Sequence, residues 1–124
     1  MQISSGVDIL EVERMKRAVD QHGERFLNRI FTEQEQTYCE GNCTRLAGRF
    51  AIKEAVAKAL GTGIGDLDWR HIEVINNERG KPELFLHERA AQLAENLGLT
   101  TWSVSMSHTA AHAIGFAVAT GPKS

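Results

Sequence analysis

An α+β fold, a mostly antiparallel sheet packed against a long central helix, is what this sequence predicts. Three observations carry that prediction. The elements run strand, helices, hairpin, helix, hairpin, without the regular alternation of a doubly wound sheet. The strand segments repeat their apolar residues at period two and the helical segments near period 3.6. Finally, 124 residues with 42% apolar and 24% charged content suit one domain, residues 1–124, large enough to bury its own core.

The first strand shows Ile3, Val7 and Ile9 on one side, interrupted by Ser5. Ser4, Gly6 and Asp8 point the other way, so Asp8 is expected opposite the apolar side of a half-buried strand. Val12, Met15 and Val19 then recur at helical spacing up to a stop near Gly23, and Phe26, Leu27, Ile30 and Phe31 make a second short stripe. Thr32 precedes Glu35 by three residues, a capping box that starts a new helix, with Gly41 as its end. Asn42 or Thr44 caps the long helix, and Gly61 stops it. Ile72, Val74, Leu84 and Leu86 lie on a hairpin that turns around Asn77–Gly80. Ala90, Leu93, Ala94 and Leu97 share one face of the next helix, which stops at Gly98. Two closing strands follow: Trp102, Val104 and Met106 alternate with serines, and Ile114, Phe116 and Val118 alternate with small residues.

Composition excludes several roles. A net charge of −2 gives no footprint for nucleic acid. No apolar run reaches the length of a membrane span and the N-terminus lacks signal-peptide character, so the expected location is cytoplasmic. Cys39 and Cys43 lack the further ligands of a zinc site and read as ordinary thiols. His108 and His112 stand four apart, but no glutamate follows His108 as a zinc helix requires.

The stretch "FAIKEAVAKALGTGIG", Phe50–Gly65, holds the chemistry-bearing pattern. On a helix, Glu54 falls on one stripe with Ala47, Phe50 and Ala57, beside the apolar face. A carboxylate there needs a partner, and Lys58 is placed four residues on for an ion pair. Gly61, Gly63 and Gly65 make a loop richer in glycine than a stop requires, where backbone can approach a ligand or offer N–H groups to an anion. It is not a Walker loop. Asp8 is either the cap of the following helix or, with Glu54, half of a Mg²⁺ site.

Four ordered blocks, "GVDILEVERM", "LAGRFAIKEAVAKALGTGIG", "RGKPEL" and "SVSMSHT", resemble the holo-acyl-carrier-protein synthase family of small 4′-phosphopantetheinyl transferases over nearly the whole chain. The resemblance implies that coenzyme A donates its phosphopantetheine arm to a serine of apo acyl carrier protein, in fatty acid biosynthesis. It also implies Mg²⁺ as cofactor and a homotrimer with active sites at subunit interfaces. Carried over, Asp8 and Glu54 are the metal ligands, and Lys58 meets the pyrophosphate. Arg49 and Lys53 are candidates for phosphate contact, although Lys53 lies off the Glu54 stripe and is otherwise a solvated charge. Gly61 and Gly63 are candidate cofactor-binding positions on the loop. His108 and Thr109 are expected near the nucleotide, and Gly80, Lys81 and Pro82 either close over the adenine or form a plain tight turn. Arg14 is the candidate for the acidic carrier protein, or else pairs on its own helix. The competing readings are a Mg²⁺-dependent nucleotide or coenzyme A hydrolase and a non-catalytic trimeric binding module.

Overall fold

The computed structural model describes residues 1–65 and 67–122. Its elements are β1 (Gln2–Glu11), α1 (Val12–Ile30), α2 (Glu33–Cys39), α3 (Cys43–Leu60), β2 (Ile72–Asn76), β3 (Pro82–Leu86), α4 (Glu88–Asn96), β4 (Thr101–His108) and β5 (His112–Gly121). A 3-10 turn at Trp69–His71 leads into β2. One antiparallel sheet has the order β1–β5–β4, and a separate antiparallel pair is formed by β2 and β3. The predicted α+β class and the central helix are both present, with α3 laid across β1 and β5. Among the described residues, no helix is long and apolar enough to cross a membrane.

Local chemistry accounts for three helix ends. Thr32 and Glu35 make the full capping box, each side chain satisfying the other residue's backbone N–H. Asn42 caps α3 by accepting from the Arg45 N–H at 3.0 Å. Gly61 closes α3 in the left-handed region at φ 81°, which glycine adopts without penalty. Gly23, at φ 54° and ψ −135°, breaks α1 into two helical pieces at the expected stop. One boundary differs from expectation. The left-handed residue that ends α2 is Glu40, one before the expected Gly41.

The larger difference concerns which side of the sheet is covered. Ile3, Val7 and Ile9 were expected to be the buried side of β1, yet they are 68%, 54% and 60% exposed. It is the other side, with Gly6 and Asp8, that meets α3. The same reversal holds on β5, where Ala113, Ala117 and Ala119 are buried while Ile114 and Phe116 face outward. The reason is close approach. A Cβ on Gly6 would collide with the Ala55 carbonyl, and one on Gly115 with the Ala51–Ile52 backbone. Small residues let helix backbone lie directly on strand backbone, and the bulky residues take the outer face.

The core has two parts. Ile52, Val56, Leu60, Ile72, Val74 and Val104 fill the space between α3 and the strands. Met15, Ile30, Phe31, Cys39 and Leu46 fill the space between α3 and the first two helices. Both parts share α3, which explains why that helix is buried on nearly every side.

Candidate active site

β1 is an edge strand, and Asp8 stands near its end, directly opposite Gly115 of β5. Because Gly6 and Gly115 admit α3 so closely, the Asp8 side chain emerges beside the helix. Lys58, in the last turn of α3, donates from Nζ to the Val7 carbonyl at 2.9 Å and to Asp8 Oδ1 at 3.2 Å. The expected Glu54–Lys58 pair within the helix is therefore corrected: the lysine reaches across to the strand. Glu54 is half-buried one turn earlier. Burial first, and the Asp8 charge second, push its carboxyl above the usual carboxylate range, while Lys58 opposes both. Asp8, Glu54 and Lys58 thus form one electrostatic cluster.

That cluster fits the donor set of Mg²⁺. The ion takes one or two protein carboxylates and completes its shell with water and phosphate oxygens. A half-buried carboxylate repelled by its neighbour is relieved when a cation lies between them. Among the described residues no group of three or more His, Cys, Asp or Glu side chains gathers in this way, so a closed all-protein cage is absent.

The other candidates lie apart from it. Arg49 precedes Glu54 by five residues, about 140° around the helix axis, and is 2% exposed. Its guanidinium donates to the Arg45 carbonyl at 3.1 Å and to the Asn76 side-chain oxygen, and stacks 4.5 Å from the Tyr38 ring centre. Its Nε has no partner among the described residues. Asn76 in turn donates to the Gly80 carbonyl at 2.8 Å, so Arg49 is tied to the hairpin turn of Gly80, Lys81 and Pro82. That turn is built by Asn77, whose side chain accepts from the Arg79 and Lys81 N–H groups, with Gly80 at φ 83°. Neither Asn76 nor Tyr38 was singled out as a site residue by the sequence.

The glycine loop turns inward. The N–H groups of Gly61 and Gly63 point to carbonyls of Lys58 and Ala57, at 3.0 and 3.4 Å, so they finish the helix. Lys53 is corrected most fully. It is neither solvated nor free for phosphate: it is 0% exposed and pairs with Glu35 at 2.8 Å. His108 is exposed at the end of β4, opposite Ala113. Thr109 shapes the following turn, its Oγ1 accepting from Ala111 and His112 N–H groups. The Ala111 carbonyl accepts from Val12 N–H at 2.8 Å, joining that turn to the start of α1. Arg14 is exposed there and, among the described residues, forms no ion pair on its own helix.

Comparison with known proteins places the whole chain. Residues 4–117 match the 4′-phosphopantetheinyl transferase superfamily. The holo-[acyl-carrier-protein] synthase of Herpetosiphon aurantiacus is 45% identical over 94% of this chain and 98% of its own length. That of Moorella thermoacetica is 43% identical over 94% and 92%. Among solved structures, holo-[acyl-carrier-protein] synthase of Helicobacter pylori in complex with coenzyme A superposes with a TM-score of 0.86 at 30% identity, covering 94% of this chain and 99% of that one. The Neisseria meningitidis enzyme gives 0.85 at 36% identity, covering 94% and 97%. The carboxylate pair, its lysine and the fold that brings them together sit in a chain that belongs to the 4′-phosphopantetheinyl transferase superfamily.

Proposed function

We propose that this protein transfers the phosphopantetheine arm of coenzyme A to a serine hydroxyl of an apo acyl carrier protein. Adenosine 3′,5′-bisphosphate is released, and the product serves fatty acid biosynthesis in the cytoplasm. The single observation that carries this reading is the Asp8–Glu54–Lys58 cluster, set in a chain 45% identical to a holo-[acyl-carrier-protein] synthase. We read residues 1–124 as one catalytic domain.

Asp8 and Glu54 would hold Mg²⁺, which when bound polarises the diphosphate and neutralises its charge. Lys58 sits on the rim of this site with half of its side chain exposed, free to turn from the Val7 carbonyl toward the β-phosphate. There it offsets negative charge as the bond between the β-phosphorus and the bridging oxygen breaks. The serine oxygen attacks that phosphorus from the opposite side, and the bridging oxygen leaves with the adenosine bisphosphate. The serine proton leaves to Glu54, to Asp8 or to a water held at the site, directly or through a second water.

In one protomer, the carboxylate cluster lies at the β1 edge, whereas Arg49 and the Gly80–Pro82 turn lie on the far side of α3. A ligand as long as coenzyme A is best enclosed if a second copy brings its own turn, with Lys81, and its His108 to this edge. The outward Ile3, Val7, Ile9, Ile114 and Phe116 support that arrangement, because such an apolar face favours burial between copies. A homotrimer is the assembly proposed. Arg14, unpaired on its helix, is then available to the acidic carrier.

The test is incubation with coenzyme A, Mg²⁺ and apo carrier, followed by intact mass of the carrier. Modification of one serine is expected with Mg²⁺ and none without it. Coenzyme A cleavage that proceeds without any carrier would instead make the protein a hydrolase.

A further inference from the structure

α3 must present Glu54 to Asp8, yet the surface on which it lies is nearly smooth. Gly6, Ala113, Gly115 and Ala117 of the sheet face Ala47, Ala51 and Ala55 of the helix, and all are buried. Small residues allow close contact but offer little to resist rotation about the helix axis. A rotation of about 20° would move a side-chain tip, at a radius of about 5–6 Å, by about 2 Å. Misplacement on that scale costs reactions of this kind up to about a hundredfold. The Ile52, Val56 and Leu60 side chains hold the other faces of the helix by volume, and a directional contact beside Glu54 fixes what rotation they leave.

We propose that the buried Lys53–Glu35 ion pair sets it, making both side chains positioning residues for the site; the inference rests on the reading of Asp8 and Glu54 given above. Lys53 immediately precedes Glu54, so an anchor on one fixes the angular position of the other. Its ammonium has three protons and three acceptors: Glu35 Oε1 at 2.8 Å, the Trp69 carbonyl at 3.0 Å and the Ile72 carbonyl at 2.5 Å. Glu35, 1% exposed, also accepts from the Thr32 N–H at 2.9 Å and the Val74 N–H at 2.8 Å. Thr32 Oγ1 donates onward to Glu73 at 2.6 Å, and Glu73 meets His87 at 2.8 Å. The helix is thereby pinned to α2, to the 3-10 turn that ends the glycine loop, to β2 and to the start of α4.

Stability does not explain such a pair. Two charges out of water are costly, and apolar residues of similar volume commonly hold a fold equally well. What they lack is direction. The partners of the buried Lys53 ammonium and Glu35 carboxylate lie on α2, the 3-10 turn and β2, so the pair favours one rotation of α3 over the rest.

The test uses two variants of the full chain. Lys53→Met/Glu35→Gln removes both charges; Glu35→Asp keeps them and shifts the anchor by one methylene. Thermal unfolding checks that each is folded at the assay temperature. Mn²⁺ binding to the free protein is measured by electron paramagnetic resonance, together with kcat and the KM for coenzyme A. Expected are Mn²⁺ affinity and kcat about tenfold lower in the folded variants, with a smaller change in KM. Lys53→Arg should recover part of both. A folded variant of either kind with Mn²⁺ affinity and kcat within twofold of the parent overturns the proposal. Glu54→Ala is the control for the site itself: undiminished Mn²⁺ binding there would overturn the metal reading, independently of the clamp.

Discussion

Burial and the Asp8 charge outweigh Lys58 and push the Glu54 carboxyl above the usual carboxylate range. Its folded pKa is raised, so the folded state takes up a proton more readily than the unfolded one. The stabilising contribution is present below the ordinary carboxylate pKa and is lost as pH rises through the folded value. At neutral pH without metal, then, Glu54 costs stability. Glu54→Gln should stabilise the metal-free protein by about a few tenths of a kcal/mol after solvent screening, read as a slightly higher melting temperature, while abolishing transfer. The gain should vanish near pH 4, and Mg²⁺ should stabilise the parent but not the variant; scanning calorimetry reads all three. At this scale the sequence was legible where periodicity sufficed. Strand and helix spacing placed Asp8 and Glu54, and the capping box marked Glu35. The partners of Lys58 and Lys53 were not legible. The i, i+4 rule sees only neighbours on one helix, and both lysines pair with residues on other elements.

β1 and β5 show how a correct element can be turned to the wrong side. Alternation in their sequences says that two faces differ, and the usual inference places the bulky apolar face inward. Here the helix comes so close that only Gly6, Gly115 and the alanines fit beneath it. The clue was present as small residues at period two, but its meaning depended on the distance of α3, which no local pattern encodes. Gly115→Ala should therefore be costly, since its Cβ would meet helix backbone and not a yielding side chain. A loss of about 1–3 kcal/mol is expected from urea unfolding, with weaker Mn²⁺ binding as α3 is lifted from Asp8.

The whole molecule presents an open sheet face with Ile3, Val7, Ile9, Ile114 and Phe116 between 40% and 68% exposed. A face of that kind is an interface in waiting, and the proposed trimer uses it. Phe116→Glu should give monomers by sedimentation velocity, with far-UV circular dichroism unchanged and transfer activity reduced at least about tenfold. Retained activity in a proven monomer would remove the shared-site arrangement. The residues concerned were visible in the sequence; their outward orientation was not.

The pairing of β1 with β5 joins the first ten residues after Met1 to residues 112–121. During synthesis, β1 leaves the ribosome long before its neighbour β5 exists, and α3 can form without it. Asp8 acquires its place opposite Gly115 only after residues 112–121 have emerged. Such long-range closure is slow compared with helix formation. On the reading of Asp8 and Glu54 as metal ligands, binding competence waits for β5, and a fragment that stops short of that strand has the Glu54 helix but no aligned partner for it.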